Sequence, residues 1–168
     1  MNFVNIHKVN NFQNHKNNLI NLINKIPKTT LEEPGQKISH TDWQIPKTME
    51  REYVPYFLNN IFKDFAKQLC FKFNLKSITL KNIWFQVYKK GDFHETHRHA
   101  ETHFANVFFI NLSSKNLKTK IYNLNNDIIE SNIEEGDILT FPAFLKHESI
   151  ENTFLEEKIV ISFNIDLF

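Results

Sequence analysis

At Asn74 the apolar pattern of this chain changes period, and that change limits the folds open to it. Before it, NFQNHKNNLINLINKI sets Leu19, Leu22, Ile23 and Ile26 three and four residues apart, the spacing of one helix face, and Pro27 closes the run. YVPYFLNNIFKDFAKQLCFKF does the same with Phe57, Leu58, Ile61, Phe62 and Phe65, a broad stripe suited to lying on a sheet. After Asn74 come short strand-like pieces separated by turns, among them SITLKNIWFQVYKK, HFANVFFINL, GDILTFP and EEKIVISFNIDLF. Helices first and strands second predict an α+β domain, mainly β, whose helices buttress one sheet of a sandwich or barrel. FVNIHKV reads as a short strand ahead of the first helix. LEEPGQKISHTDWQIPKT has no periodicity but contains Pro34, Gly35 and Pro46, and reads as a long ordered loop. With 168 residues, one domain is expected over 1–168, a helical buttress at about 1–74 and a barrel at about 75–168.

Charge argues against several partners. The net charge is +1, with Lys and Arg spread among Asp and Glu, so no electrostatic footprint for nucleic acid is expected. The apolar runs are too short to cross a bilayer, so no membrane span is expected. The amino end lacks the basic, apolar and small-residue succession of a secretory signal. The single cysteine, Cys70, rules out an internal disulfide and reads as a buried apolar residue. These features fit a reducing compartment, and a cytoplasmic location is the expectation.

Four of the eight histidines, His94, His97, His99 and His103, fall within GDFHETHRHAETHF. Residues two apart on a strand share a face, so His97 and His99 present two imidazoles together while Arg98 points away to the surface. Neutral imidazole is a good ligand for iron, zinc, copper and nickel. A third ligand should come from another strand, and GDILTFPAFLKHESI offers His147. Asp92 and Asp137 each follow a turn glycine and read as structural. His94 and His103 read as lying beside the metal or facing substrate, with solvent exposure the stronger alternative for His94. Trp84, Gln86 and Tyr88 alternate onto one face. Trp84 is expected in the core, with Gln86 the better candidate for ligand contact.

Taken together, GDFHETHRHAETHFANVFFI, GDILTFPAFLKHESI and EEKIVISFN resemble the small bacterial and phage 2-oxoglutarate and iron(II)-dependent oxygenases, over roughly Trp84 to Asn164. The resemblance implies a double-stranded β-helix, a jelly-roll or cupin-like barrel with N-terminal helices packed on one sheet. It also implies an Fe(II) centre held by His97, His99 and His147, with His99 where most relatives carry an acidic residue. Dioxygen and 2-oxoglutarate would be co-substrates, and the reaction a hydroxylation of a small molecule or side chain. Lys158 stands in place of the family's arginine for the distal carboxylate of 2-oxoglutarate, and Val160 in place of a serine. Ser162 and Asn164 share the face of Lys158 by alternation, so with Gln86 they complete the expected co-substrate site; His103, Tyr88 and Trp84 are expected next to it.

The stretch also resembles the wider cupin signature, with Gly91 before the histidine pair and Gly136 leading through Pro142 to the last histidine. Three alternatives stay open: a three-histidine cupin dioxygenase that uses no oxo acid, a structural zinc site, and a non-catalytic barrel that binds metal or an anion. The segments Pro34 to Pro46 and Asn111 to Lys120 are the candidate lids. The oligomeric state is left open, a homodimer being one option.

Overall fold

The computed structural model describes residues 3–46 and 48–168; Met1, Asn2 and Lys47, the last inside the expected loop, lie outside them. The first half of the chain runs β1 (Asn5–Lys8), α1 (Phe12–Asn24), β2 (Leu31–Glu33), β3 (Gln36–Ile38), β4 (His40–Thr41) and α2 (Tyr53–Phe57). A π-helical turn, Leu58–Phe62, joins α2 to α3 (Lys63–Phe73). Then follow β5 (Ile78–Tyr88), β6 (Phe93–His97), β7 (Phe104–Asn111), a 3-10 turn (Lys115–Leu117), β8 (Lys120–Tyr122) and β9 (Ile128–Ile129). β10 (Asp137–Pro142), β11 (His147–Ser149) and β12 (Lys158–Leu167) end the chain. The helix boundaries follow local chemistry. α1 stops at its cap Lys25, two residues short of Pro27, and Asn74 ends α3 in the left-handed conformation that asparagine tolerates. Pro55 falls in the first turn of α2, where a missing N–H costs nothing.

The fold is mostly β. Two antiparallel six-stranded sheets form, in the orders β1-β10-β7-β12-β5-β4 and β2-β3-β6-β11-β8-β9. The helices pack on one face of the first sheet, as the apolar stripe required. There Leu19, Phe57 and Phe65 meet Phe85, Phe108 and Phe163, all fully buried. Each such side chain contributes roughly 2–3 kcal/mol by leaving water. The opposite face of the same sheet meets the second sheet through Tyr88, Phe109, Phe141 and Val160, against Ile38 and Ile121. β12 lies between these cores and divides its side chains by alternation. Ile159, Ile161, Phe163 and Ile165 face the helices, while Lys158, Val160, Ser162 and Asn164 line the space between the sheets.

The segment read as one long loop is not a loop. It holds the β2–β3 hairpin, whose β3 pairs with β6, and β4, which pairs with β5. Pieces of two and three residues are too short to display a period; β2 and β3 pair with each other across Pro34 and Gly35, while the pairings of β3 with β6 and of β4 with β5 join segments distant in sequence, which no local pattern marks. Asp42 makes this segment rigid. Its buried carboxylate accepts from Tyr53 Oη at 2.6 Å, from the Phe85 amide at 2.9 Å and from Arg51 at 3.2 Å, joining β4 to α2 and β5. Cys70 is half-buried rather than buried, because α3 turns Phe65 and Leu69 into the core instead.

Two glycines give a stability test. Gly136 has φ +87°, and a Cβ there would sit 2.6 Å from Phe12 Cγ; Gly91 has φ +84° with open space around it. Gly136→Ala therefore combines backbone strain with a clash in the core and is expected to cost about 3 kcal/mol, against about 1 kcal/mol for Gly91→Ala. Urea unfolding of both variants measures the difference, and equal losses would contradict the close approach at Phe12.

Candidate metal centre

β6 and β11 are neighbours in the second sheet, with His97 directly opposite His147. His99 lies two residues beyond β6, where its amide donates to Ala143 O at 2.9 Å and keeps the strand's direction long enough to return its ring to the same side. One ring nitrogen from each of His97, His99 and His147 falls within 4.8 Å of the others. The Nε2 atoms of His99 and His147 are 3.2 Å apart. Two of the rings are oriented by backbone: His97 Nδ1–H donates to Glu95 O at 2.8 Å and His147 Nδ1–H to Leu145 O at 3.0 Å. Nε2 of each is thereby left bare toward the shared centre.

Burial keeps these imidazoles neutral. It pulls the pKa of His147 down to about 3 and of His99 down to about 4, and it lowers His97. His94, for which solvent exposure is the stronger alternative by sequence, is instead half-buried and stacked on His97 with ring centroids 3.8 Å apart; burial takes its pKa down to about 3. The reason is register, since His94 lies opposite Ser149 on β11 and Gln36 on β3 rather than at an edge. A neutral cluster is ready for a cation without first releasing protons.

The sign of the pH effect on folding follows. These groups titrate near 6.5 when unfolded and well below that when folded. Below pH 6.5 the unfolded chain takes up protons that the folded, metal-free chain does not, so stability is held above that pH and falls progressively toward pH 4. Buried His7 and His40, also lowered by burial, add in the same direction. Melting of metal-free protein at pH 7, 6 and 5 should show Tm falling step by step; a Tm flat across that range would contradict the neutral cluster.

A narrow recess of about 40 Å3 runs inward from the histidines, room for a few waters. Tyr88, Gln86, Trp84 and the inward row of β12 line it, the two strands meeting in register as Lys158 opposite Tyr88, Val160 opposite Gln86, Ser162 opposite Trp84 and Asn164 opposite Asn82. At its end lies Lys158, 1% exposed. Its Nζ donates to Ser149 Oγ at 2.7 Å and sits 5.1 Å from the Tyr88 ring centroid. Among the described residues no carboxylate pairs with it, and burial draws its pKa down to about 7. Ser162 Oγ donates to Gln86 Oε1 at 3.0 Å, which pairs the two groups on the recess wall. Asn164 turns toward His99 rather than toward Lys158, with Nδ2 3.0 Å from Nδ1.

His103 is not brought to the cluster. Its ring is exposed at the outer end of β12, where it accepts from the Leu167 amide at 3.0 Å. Asp92 and Asp137 are buried at their turns and accept backbone amides, Asp92 from Ser39 and Lys89 and Asp137 from Glu134. On the outer side of the histidines opens a cavity of about 530 Å3. Gln36, Ile38, Thr41 and Trp43 bring the Pro34 to Pro46 segment to its wall; from Asn111 to Lys120 only Thr119 reaches either space. Trp43 is half exposed and meets Trp84 edge-on with centroids 4.8 Å apart. Trp43 and His94 both lie at the site; the histidine-rich stretch already contained His94, whereas no local pattern marks Trp43.

No protein-family model matches the sequence, and no curated protein matches it. Solved structures do. A 2-oxoglutarate–Fe(II) oxygenase family oxidoreductase from Burkholderia pseudomallei superposes with a TM-score of 0.77 at 9% identity, over 97% of this chain and 85% of that one. A prolyl-4-hydroxylase from Pseudomonas putida gives 0.68 at 11% identity, over 98% and 93%. The viral collagen prolyl hydroxylase of Paramecium Bursaria Chlorella virus-1 gives 0.60 at 14% identity, over 95% and 94%. The chain thus shares the fold of 2-oxoglutarate–Fe(II) oxygenases, the fold expected of the family its sequence resembles. Among the described residues no helix is long and apolar enough to cross a membrane.

Proposed function

We propose that the chain is an iron(II)- and 2-oxoglutarate-dependent oxygenase, a hydroxylase of a small molecule or a side chain, built as one double-stranded β-helix domain over 1–168. The observation that carries this reading is a buried lysine, without an acid partner among the described residues, at the inner end of a recess whose mouth is three converging imidazoles. A charge so placed is costly unless something anionic joins it. A dicarboxylic oxo acid fits the arrangement, with one carboxylate reaching Lys158 while its other end lies at the metal.

The donor set fits iron(II). His97, His99 and His147 would hold it, leaving sites for the oxo acid and dioxygen. Bound there with 2-oxoglutarate and dioxygen, the metal supplies the oxidant for hydroxylating a C–H bond as the oxo acid is decarboxylated to succinate. The protein's part is placement and exclusion. Lys158 and Ser149 fix the distal carboxylate, while Ser162 and Gln86 form the polar wall beside it. The recess is tight as it stands, so the oxo acid enters by displacing side chains, and among the described residues Lys158 has one hydroxyl contact to give up. Substrate comes from the outer cavity, where Trp43 and Trp84 supply an aromatic wall.

Anaerobically purified protein given Fe(II), 2-oxoglutarate and then air should form succinate, slowly without substrate and faster with it. Oxygen uptake that is indifferent to 2-oxoglutarate would point to a three-histidine dioxygenase of the cupin kind. A protein that holds iron and never consumes the oxo acid would refute the proposal.

A further inference from the structure

We infer that Asn164 is a positioning residue for His99: its side-chain carbonyl accepts the His99 Nδ1–H when a metal is bound, and so keeps His99 Nε2 bare for the ion. The inference rests on reading the three histidines as a metal centre.

Of the three rings, His97 and His147 each have Nδ1 on a backbone carbonyl. A carbonyl can only accept, so in both rings the proton is on Nδ1 and Nε2 is free for the metal. At His99 the Nδ1 partner is instead the side chain of Asn164, at 3.0 Å through Nδ2. An amide nitrogen can only donate. It therefore places the lone pair on Nδ1 and the proton on Nε2, and that proton has an acceptor in the bare His147 Nε2 at 3.2 Å. The empty centre is thus closed by a histidine–histidine hydrogen bond that a metal must break.

Breaking it moves the His99 proton from Nε2 to Nδ1, with no net proton released from that ring. Nδ1–H then faces an amide N–H, two donors with no acceptor between them. A half-turn of the Asn164 amide removes the conflict. It also removes a defect of the empty state, because Asn164 Oδ1 is buried with no hydrogen-bond partner among the described residues, and so is Asn82 Oδ1. Asn82 lies directly opposite Asn164 in the β5–β12 register, and side chains so paired have Cβ atoms about 5 Å apart. After the half-turn, Asn164 Oδ1 receives the imidazole proton and Nδ2 turns to the side where Asn82 Oδ1 lacks a donor. Asn82, Asn164 and His99 become one chain of satisfied hydrogen bonds ending at the metal. Carbonyl and carboxylate partners of this kind orient ligating histidines in general.

The test uses Zn(II) as the probe and compares full-length wild type with Asn164→Asp, Asn164→Leu and Asn164→Ala. A carboxylate accepts and cannot donate, so Asp keeps the proposed function while Leu and Ala remove it. Wild type should bind one Zn(II), Asp should bind within about threefold of wild type, and Leu and Ala about 10- to 100-fold more weakly. Long-range proton–nitrogen NMR of the metal-free proteins gives a second readout: His99 protonated on Nε2 in wild type and on Nδ1 in the Asp variant. Loss of affinity in Asp equal to that in Leu and Ala, or no loss in Leu and Ala, overturns the inference while leaving the metal centre standing. So does metal-free wild type with His99 already protonated on Nδ1. Wild type that binds no Zn(II) overturns the metal centre and this inference with it.

Discussion

Replacing Lys158 with methionine should abolish binding of 2-oxoglutarate and at the same time make the metal-free protein more stable. The two effects have one cause. Lys158 is fully buried, its only hydrogen-bond partner among the described residues is the Ser149 hydroxyl, and burial alone has drawn its pKa down to about 7. A methionine of similar length fills the same space between Tyr88 and Phe109 without an amine to desolvate, which should raise stability by roughly 2 kcal/mol. The cost falls on the ligand. Removing the cation from a buried pair costs roughly 3 kcal/mol or more, so the affinity for 2-oxoglutarate should drop at least about a hundredfold. Calorimetric titration and thermal melting of one preparation measure both. A methionine variant that binds the oxo acid normally, or melts earlier than wild type, would contradict the role given to Lys158. Wild-type affinity should also depend on pH. An anion beside the amine raises its pKa above the value it has when empty, so binding takes up a proton above about pH 7, and affinity weakens by up to about tenfold per pH unit beyond that.

His147→Ala should remove metal binding, whereas His103→Ala should not touch it. The free energy of a protein metal site, about 10–16 kcal/mol for structural zinc, is shared among few ligands, so losing one of three imidazoles is expected to weaken affinity by more than about a hundredfold. His147 is the strictest choice because it is buried and its ring is fixed by Leu145 O. His103 controls for histidine content, since its ring is exposed and engaged with Leu167 outside both cavities. Equal Fe(II) affinities for the two variants would remove the cluster from the account.

What could be read in the sequence was what repeats over several residues. β12 is ten residues long, and its alternation alone put Lys158, Ser162 and Asn164 on one face, where they lie. The same rule paired His97 with His99, and the Gly-Asp to Phe-Pro run pointed to His147. What could not be read depends on register between distant segments. β4 is two residues long and pairs with β5, so neither it nor the Asp42 clamp leaves a local trace. His94 looked exposed because simple alternation puts residues three apart on opposite faces; here β6 carries one residue more than the facing β11 between His94 and His97, a bulge that brings the two rings together. His103, close to the pair in sequence, is carried outward because the chain between His99 and β7 turns to place it against the end of β12. The depth of Lys158 was also beyond the sequence, since a lysine at a strand start is exposed as often as the sheet order allows. Here that order puts β12 between β7 and β5 and buries it.

Anaerobic equilibrium dialysis against Fe(II), followed by addition of 2-oxoglutarate, tests the central claim most directly. Wild type should retain one iron per chain, and the oxo acid should then produce a visible charge-transfer absorption that reports its chelation to that iron. Protein that retains no iron, or iron whose spectrum ignores the oxo acid, would contradict a centre built from His97, His99 and His147 and served by Lys158.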